Sequence, residues 1–137
     1  MWGCLKMSEF INTIDQLGDE VVLQSMIDRT ITEFKDNVLT KIGWGAFNNC
    51  KNLTTVDLPN VTSMDAHAFN GCSNLNTLIL RSETLCLLIN TVVLNNTPIA
   101  KGSGNVYVND NLVDTYKSAT NWSTFANQIK GVSELGG

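Results

Sequence analysis

Charge is scarce in this chain. Only 16% of its 137 residues are Asp, Glu, Lys or Arg, and histidine occurs once. The few charges sum to −4, with 9 Lys and Arg spread along the sequence. That balance excludes a phosphate-tracking basic face, because nucleic-acid affinity comes mainly from cations neutralising phosphates. Long apolar runs are also missing. The most apolar stretch, TLCLLINTVVL at 84–94, is broken by Asn90 and falls far short of the ~20 residues a membrane helix needs. No apolar h-region follows the opening MWGCLKMSEF, and no apolar run precedes Cys4, so neither a secretory signal nor a lipoprotein anchor is expected. As written, the chain is expected in the cytoplasm or on a virion, with Met7 a second possible start. No C-x-x-C pair occurs among the 4 cysteines, which argues against a zinc site. Aromatics are 7%, so the core must be built mainly from aliphatic side chains.

What is present in quantity is self-similarity. AFNNCKNLTTVDLPN (46–60) returns 22 residues later as AFNGCSNLNTLILRS (68–82), with Phe47, Cys50, Leu53 and Leu58 matched by Phe69, Cys72, Leu75 and Leu80. A fixed period in the twenties is the signature of a repeat architecture. Traced backwards, ITEFKDN (31–37) is a degenerate earlier copy in which Ile31 and Phe34 stand for Leu53 and Val56. Traced forwards, Ile42 and Met64 lead to Cys86, after which the register slips by three, so that Leu94 takes the Phe47 and Phe69 place. NNTPIAKGSG then makes a longer loop before a strand at 106–108. Within a copy, Leu53, Val56, Leu58 and Val61 follow L-x-x-L-x-L-x-x. A short strand there points Val56 and Leu58 inward and Asp57 outward, and Pro59-Asn60 ends it. The Gly- and Asn-rich halves, IGWGAFNNC and MDAHAFNGC, are too short for long helices and read as helical turns whose Phe and Cys plug the core.

These residues resemble the BspA-type (Treponema-type) leucine-rich repeats, whose pattern I-x-x-x-A-F-x-x-C-x-x-L-x-x-V-x-L-P is matched by KIGWGAFNNCKNLTTVDLP. The second copy departs from it at Met64 and Leu78 and in lacking the Pro. The resemblance covers roughly residues 30 to 135, and VYVNDNLVDTYKSATNWSTFANQIKGVSEL is similar to the C-terminal cap of such arrays in gut bacteria and their phages. It implies an α/β solenoid, a short array of parallel strands with helical N- and C-terminal caps. The expected divisions are an N-terminal helical cap at 1–29, the repeat array at 30–108 and a C-terminal helical cap at 109–137. In the first, Ser8 and Asp19 are expected to cap helices bearing Phe10, Ile11, Ile14 and Leu17, then Val22, Leu23, Met26 and Ile27. In the last, Leu112, Val113 and Tyr116 share a helical face. Asn121 caps a helix carrying Trp122, Phe125, Ala126 and Ile129, ended by Gly131.

No constellation for catalysis emerges, and neither a cofactor nor a metal is expected. Asp65 and His67 lie two apart on a turn, which does not bring nucleophile, base and orienting group together. Cys50, Cys72 and Cys86 read as buried reduced thiols. Gly102-Ser103-Gly104 lacks a following P-loop Lys and reads as a turn, and the sequons at Asn52, Asn60, Asn95 and Asn121 read as chance matches in an Asn-rich chain. The candidate site is therefore the strand face, where equivalent residues of neighbouring strands form rows. One row is Lys35, Asp57, Ile79, Tyr107; the next is Glu33, Thr55, Thr77, Asn105. Ile79 and Tyr107 are the expected exposed anchors, with Lys35 and Asp57 steering or pairing with each other. The function expected is non-enzymatic protein binding: a recognition or adhesion module, phage or prophage encoded, or alternatively a small intracellular inhibitor of a host protein.

Overall fold

A computed structural model describes the backbone at residues 21–22 and the chain over 31–135. The other residues expected in the N-terminal cap, and Cys4, lie outside the described residues. Among the described residues nine strands appear in chain order: β1 (Val21–Val22), β2 (Glu33–Lys35), β3 (Lys41–Ile42), β4 (Thr55–Leu58), β5 (Ser63–Met64), β6 (Thr77–Leu80), β7 (Leu87–Leu88), β8 (Asn105–Val108) and β9 (Ile129–Gly131). Alternate strands of the chain collect into two sheets, β1-β3-β5-β7 and β2-β4-β6-β8-β9. Every pairing is parallel. Each repeat thus contributes one strand to each sheet, and the chain passes between the sheets through its turns.

The core lies between the sheets. Phe47, Cys50, Leu53, Val56 and Leu58 are fully buried, as are Phe69, Cys72, Leu75, Leu78 and Leu80. Phe47 stacks on Phe69 at 5.0 Å and meets Phe34 edge-on at 4.8 Å, so three aromatic rings form a continuous spine across neighbouring repeats. Around the Phe turn, backbone donors alternate in direction. The N–H groups of Ala46, Asn48 and Cys50 bond three residues back, whereas those of Gly45, Phe47 and Asn49 donate to Ala66, Ala68 and Asn70 of the next repeat. In the following repeat Phe69 and Gly71 donate likewise to Val93 and Asn95, which puts Leu94 in the Phe place as expected.

Asparagine adds a second set of staples. Asn60 Nδ2 donates to the Asn37 carbonyl at 2.6 Å, Asn74 to Lys51 at 2.7 Å and Asn109 to Ser82 at 3.1 Å. A short amide side chain reaches a carbonyl one repeat back, which gives these asparagines a structural role. Asn49, Gly71 and Asn96 share a left-handed backbone at equivalent places, with φ of 60°, 81° and 60°. Asn and Gly are the residues that tolerate this conformation. At Gly71 a side chain would also run into Asn49.

Two register details differ from expectation. Met64 pairs with Leu88, so Leu88 and not Cys86 continues the Ile42 and Met64 position. The turn from β6 to β7 is longer than that from β4 to β5, and the extra residues enter there, before Cys86. Val22, expected in a helix, lies in β1; paired β-branched residues suit a strand, and β3 offers an edge to fill.

The C-terminal segment is mixed. Helix α1 (Pro98–Lys101) precedes β8, and α2 (Val113–Ser118) follows it. Trp122–Gln128 is a 3-10 segment kinked at Phe125, and Ile129–Gly131, expected to be helical, forms β9 on the edge of the larger sheet. Asn121 does not cap a helix: its φ is 69° and its side chain makes no capping bond. Instead three side chains of this segment seal the last strand of the smaller sheet. The Tyr116 hydroxyl accepts from the Cys86 N–H at 2.8 Å, Trp122 Nε1 donates to the Cys86 carbonyl at 2.7 Å, and Asn121 Nδ2 donates to the Leu88 carbonyl at 2.7 Å. An open parallel edge is thereby closed by side chains in place of another strand.

Candidate functional site

The two expected rows form as read. Lys35, Asp57, Ile79 and Tyr107 are register partners across β2, β4, β6 and β8, as are Glu33, Thr55, Thr77 and Asn105. Their exposure differs from expectation. Lys35 and Glu33 are exposed, while Thr55, Thr77, Asn105 and Tyr107 are half-buried. Ile79 is only 6% exposed and Asp57 7%. Arg81, two residues after Ile79, reaches back with its guanidinium to Asp57, Nε lying 3.1 Å from Oδ1. Ile79 is enclosed in this outer row, apart from the main core. Asp57 is therefore engaged by Arg81 and not by Lys35, and the row is a closed polar surface without an apolar anchor at its centre.

Large exposed hydrophobics gather on the other sheet. Trp44, Leu87 and Ile89 are 54%, 63% and 59% exposed. They line a groove of about 690 Å³ on the outer face of β3, β5 and β7, together with Lys41, Ser63 and Asp65. The alternation of strand side chains explains the lining. Ile42, Met64 and Leu88 point into the core, so their neighbours Lys41, Ser63 and Leu87 point out as one row. Asp65 and Ile89 follow two residues on. Trp44 stands at the rim with its ring 5.2 Å from that of His67. His67 holds the left-handed backbone that Gly45 has one repeat earlier, and its Nδ1 lies 2.8 Å from Asn70 Nδ2.

Sequence reasoning missed this groove for two reasons. Trp44 sits in a turn whose Phe and Cys do plug the core, yet its equivalent is Ala66, a hint that the position requires no large buried group. Leu87 and Ile89 fall on the outward face only once the insertion before Cys86 is placed correctly.

The remaining candidate groups lie outside the lining of this groove. Cys50, Cys72 and Cys86 are buried. The Cys72 thiol donates to the Phe47 carbonyl, 2.9 Å away. Burial pushes the Cys86 thiol up to about 12, unsuited to nucleophilic work near neutral pH. Burial likewise raises Tyr116 to about 12, with the bond from the Cys86 backbone opposing and the Cys86 thiol adding. Gly104 is a close-approach position, where a Cβ would lie 2.9 Å from Ile99 and 3.0 Å from the Asn76 backbone. Among the described residues no three His, Cys, Asp or Glu side chains group to hold a metal. No helix among them is long and apolar enough to cross a membrane.

Compared with known proteins, residues 4–112 match the family BspA type Leucine rich repeat region, in 6 copies. No curated protein matches the chain.

Proposed function

Because the chain belongs to the BspA type leucine rich repeat family, we propose that it is a short solenoid acting as a non-enzymatic protein-binding module, with the groove on the smaller sheet as its docking face. The observation that carries this reading is the clustering of Trp44, Leu87 and Ile89, all more than half exposed, on one rigid sheet face. Contiguous exposed apolar side chains rimmed by polar ones are the mark of an interaction site, and Trp is enriched among residues that dominate binding energy. Within this class the leading form is a recognition or adhesion module, phage or prophage encoded. The alternative, a small intracellular inhibitor of a host protein, is suited by the net charge of −4.

The test is comparative. A photocrosslinker at position 89 should capture a discrete protein in the wild-type background, and Leu87→Glu should abolish that capture while circular dichroism stays unchanged. Tyr107→Ser, on the larger sheet, should leave it intact. The opposite pattern would return the site to the row of Lys35, Asp57, Ile79 and Tyr107.

A further inference from the structure

We propose that the occupant of this groove is a second copy of the same chain, packed face to face about a two-fold axis. The inference rests on the groove being a docking face, as argued above, and adds the identity of the partner.

The argument is self-complementarity. A two-fold interface uses one patch on both subunits, so every group on it must find its counterpart elsewhere on the same patch. The groove meets that condition. Its apolar side chains, Trp44, Leu87 and Ile89, are suited to contact one another across the axis. Its charges are one cation, Lys41, and one anion, Asp65. They are offset: Lys41 of β3 is in register with Ser63 of β5, and Asp65 lies two residues further along, just past β5. A two-fold axis in the interface plane that perpendicularly bisects the line joining them sets each Lys41 opposite Asp65 of the other copy. Asp65 spends one oxygen on the Ala66 N–H at 2.9 Å, which fixes its carboxylate at the groove and leaves the other oxygen to accept from an ammonium.

Charge elsewhere favours the same face. With 13 acidic against 9 basic residues the chain repels its copies in general. The groove, carrying one charge of each sign, is a region where two copies meet without net repulsion.

The experiment is sedimentation equilibrium on the full chain across a concentration series, with charge-swap variants. The wild type should show a monomer–dimer equilibrium. Lys41→Asp and Asp65→Lys should each weaken the dimer about tenfold or more, on the order of 1.4 kcal/mol. The double variant Lys41→Asp/Asp65→Lys should recover it, because exchanged partners still meet across the axis. Leu87→Glu should yield monomer with an unchanged circular dichroism spectrum. A wild type that stays monomeric throughout overturns the dimer, and the docking reading survives if Leu87→Glu still abolishes capture of a different protein. A dimer indifferent to Leu87→Glu forms elsewhere and overturns the inference as well. Chemical crosslinks from Lys41 to Lys6 within a monomer would seat the chain's own N-terminal residues in the groove, and they too would overturn the dimer.

Discussion

Phe69 shows how tightly a single residue is held when repeats stack. It packs against Phe47 on one side, donates its N–H to Val93 on the other and has no exposed surface. Phe69→Ala should cost ~3–5 kcal/mol, because repeats hydrogen-bonded on both sides cannot collapse into the cavity. A urea titration checks it; a loss below ~1 kcal/mol would remove Phe69 from the spine. Positions of this kind were legible in the sequence because each is written twice, and the chance of two copies agreeing on Phe, Cys and Leu without burial is small. Ile79 was not legible in that way. It is buried on the outer row beside the Arg81–Asp57 pair, and the first copy has Pro59 in the place of Arg81. A one-off contact leaves no periodic trace. Trp44 was obscured for the converse reason, an exposed aromatic lodged in a turn whose other large side chain is core.

At the scale of elements, the closing segment works through its polar atoms as much as through its apolar mass. Tyr116 and Trp122 meet edge-on at 5.3 Å inside the core while their hydroxyl and N–H satisfy the two backbone groups of Cys86. Trp122→Phe keeps the ring burial but strands the Cys86 carbonyl, a loss of about 1–3 kcal/mol. Amide exchange at Cys86 and its neighbours in β7 should then accelerate well before exchange in β4 or β6 does. Uniform acceleration across both sheets would show that the seal carries no local role. The existence of strands at 55–58 and 77–80 followed from alternation and the turn residues that bound them. The seal did not, since Asn121 has the composition of a helix cap and only the position of β7 in space diverts it to Leu88.

For the molecule as a whole, two of the buried protons bear on alkaline stability. Cys86 rises from 9.0 to about 12 and Tyr116 from 10.0 to about 12, both chiefly through burial. Each binds its proton more tightly folded than unfolded. The stability they contribute is therefore complete below the unfolded values and is lost as pH climbs from 9.0 towards 12, at up to about 1.4 kcal/mol per pH unit for each group. Urea midpoints should be flat below pH 9.0 and fall above it. Cys86→Ala should start from a lower plateau and descend less steeply. An equally steep descent in that variant would assign the alkaline loss to other groups.

The bond from the Gly71 N–H to the Asn95 carbonyl, 3.0 Å long, has a bearing on how the protein ages. Asn-Gly, here Asn70-Gly71, is the dipeptide in which spontaneous deamidation is ordinarily fastest, since an unhindered glycine nitrogen attacks the side-chain amide carbon of the Asn before it and expels ammonia, and water opens the resulting succinimide to aspartate or isoaspartate. Here that nitrogen is committed to the next repeat, and the Asn70 amide is itself held between His67 and Asn96. The reaction must wait for the repeats to part. Isoaspartate at residue 70 would then accumulate in proportion to time spent open, a chemical clock for opening written into the chain itself.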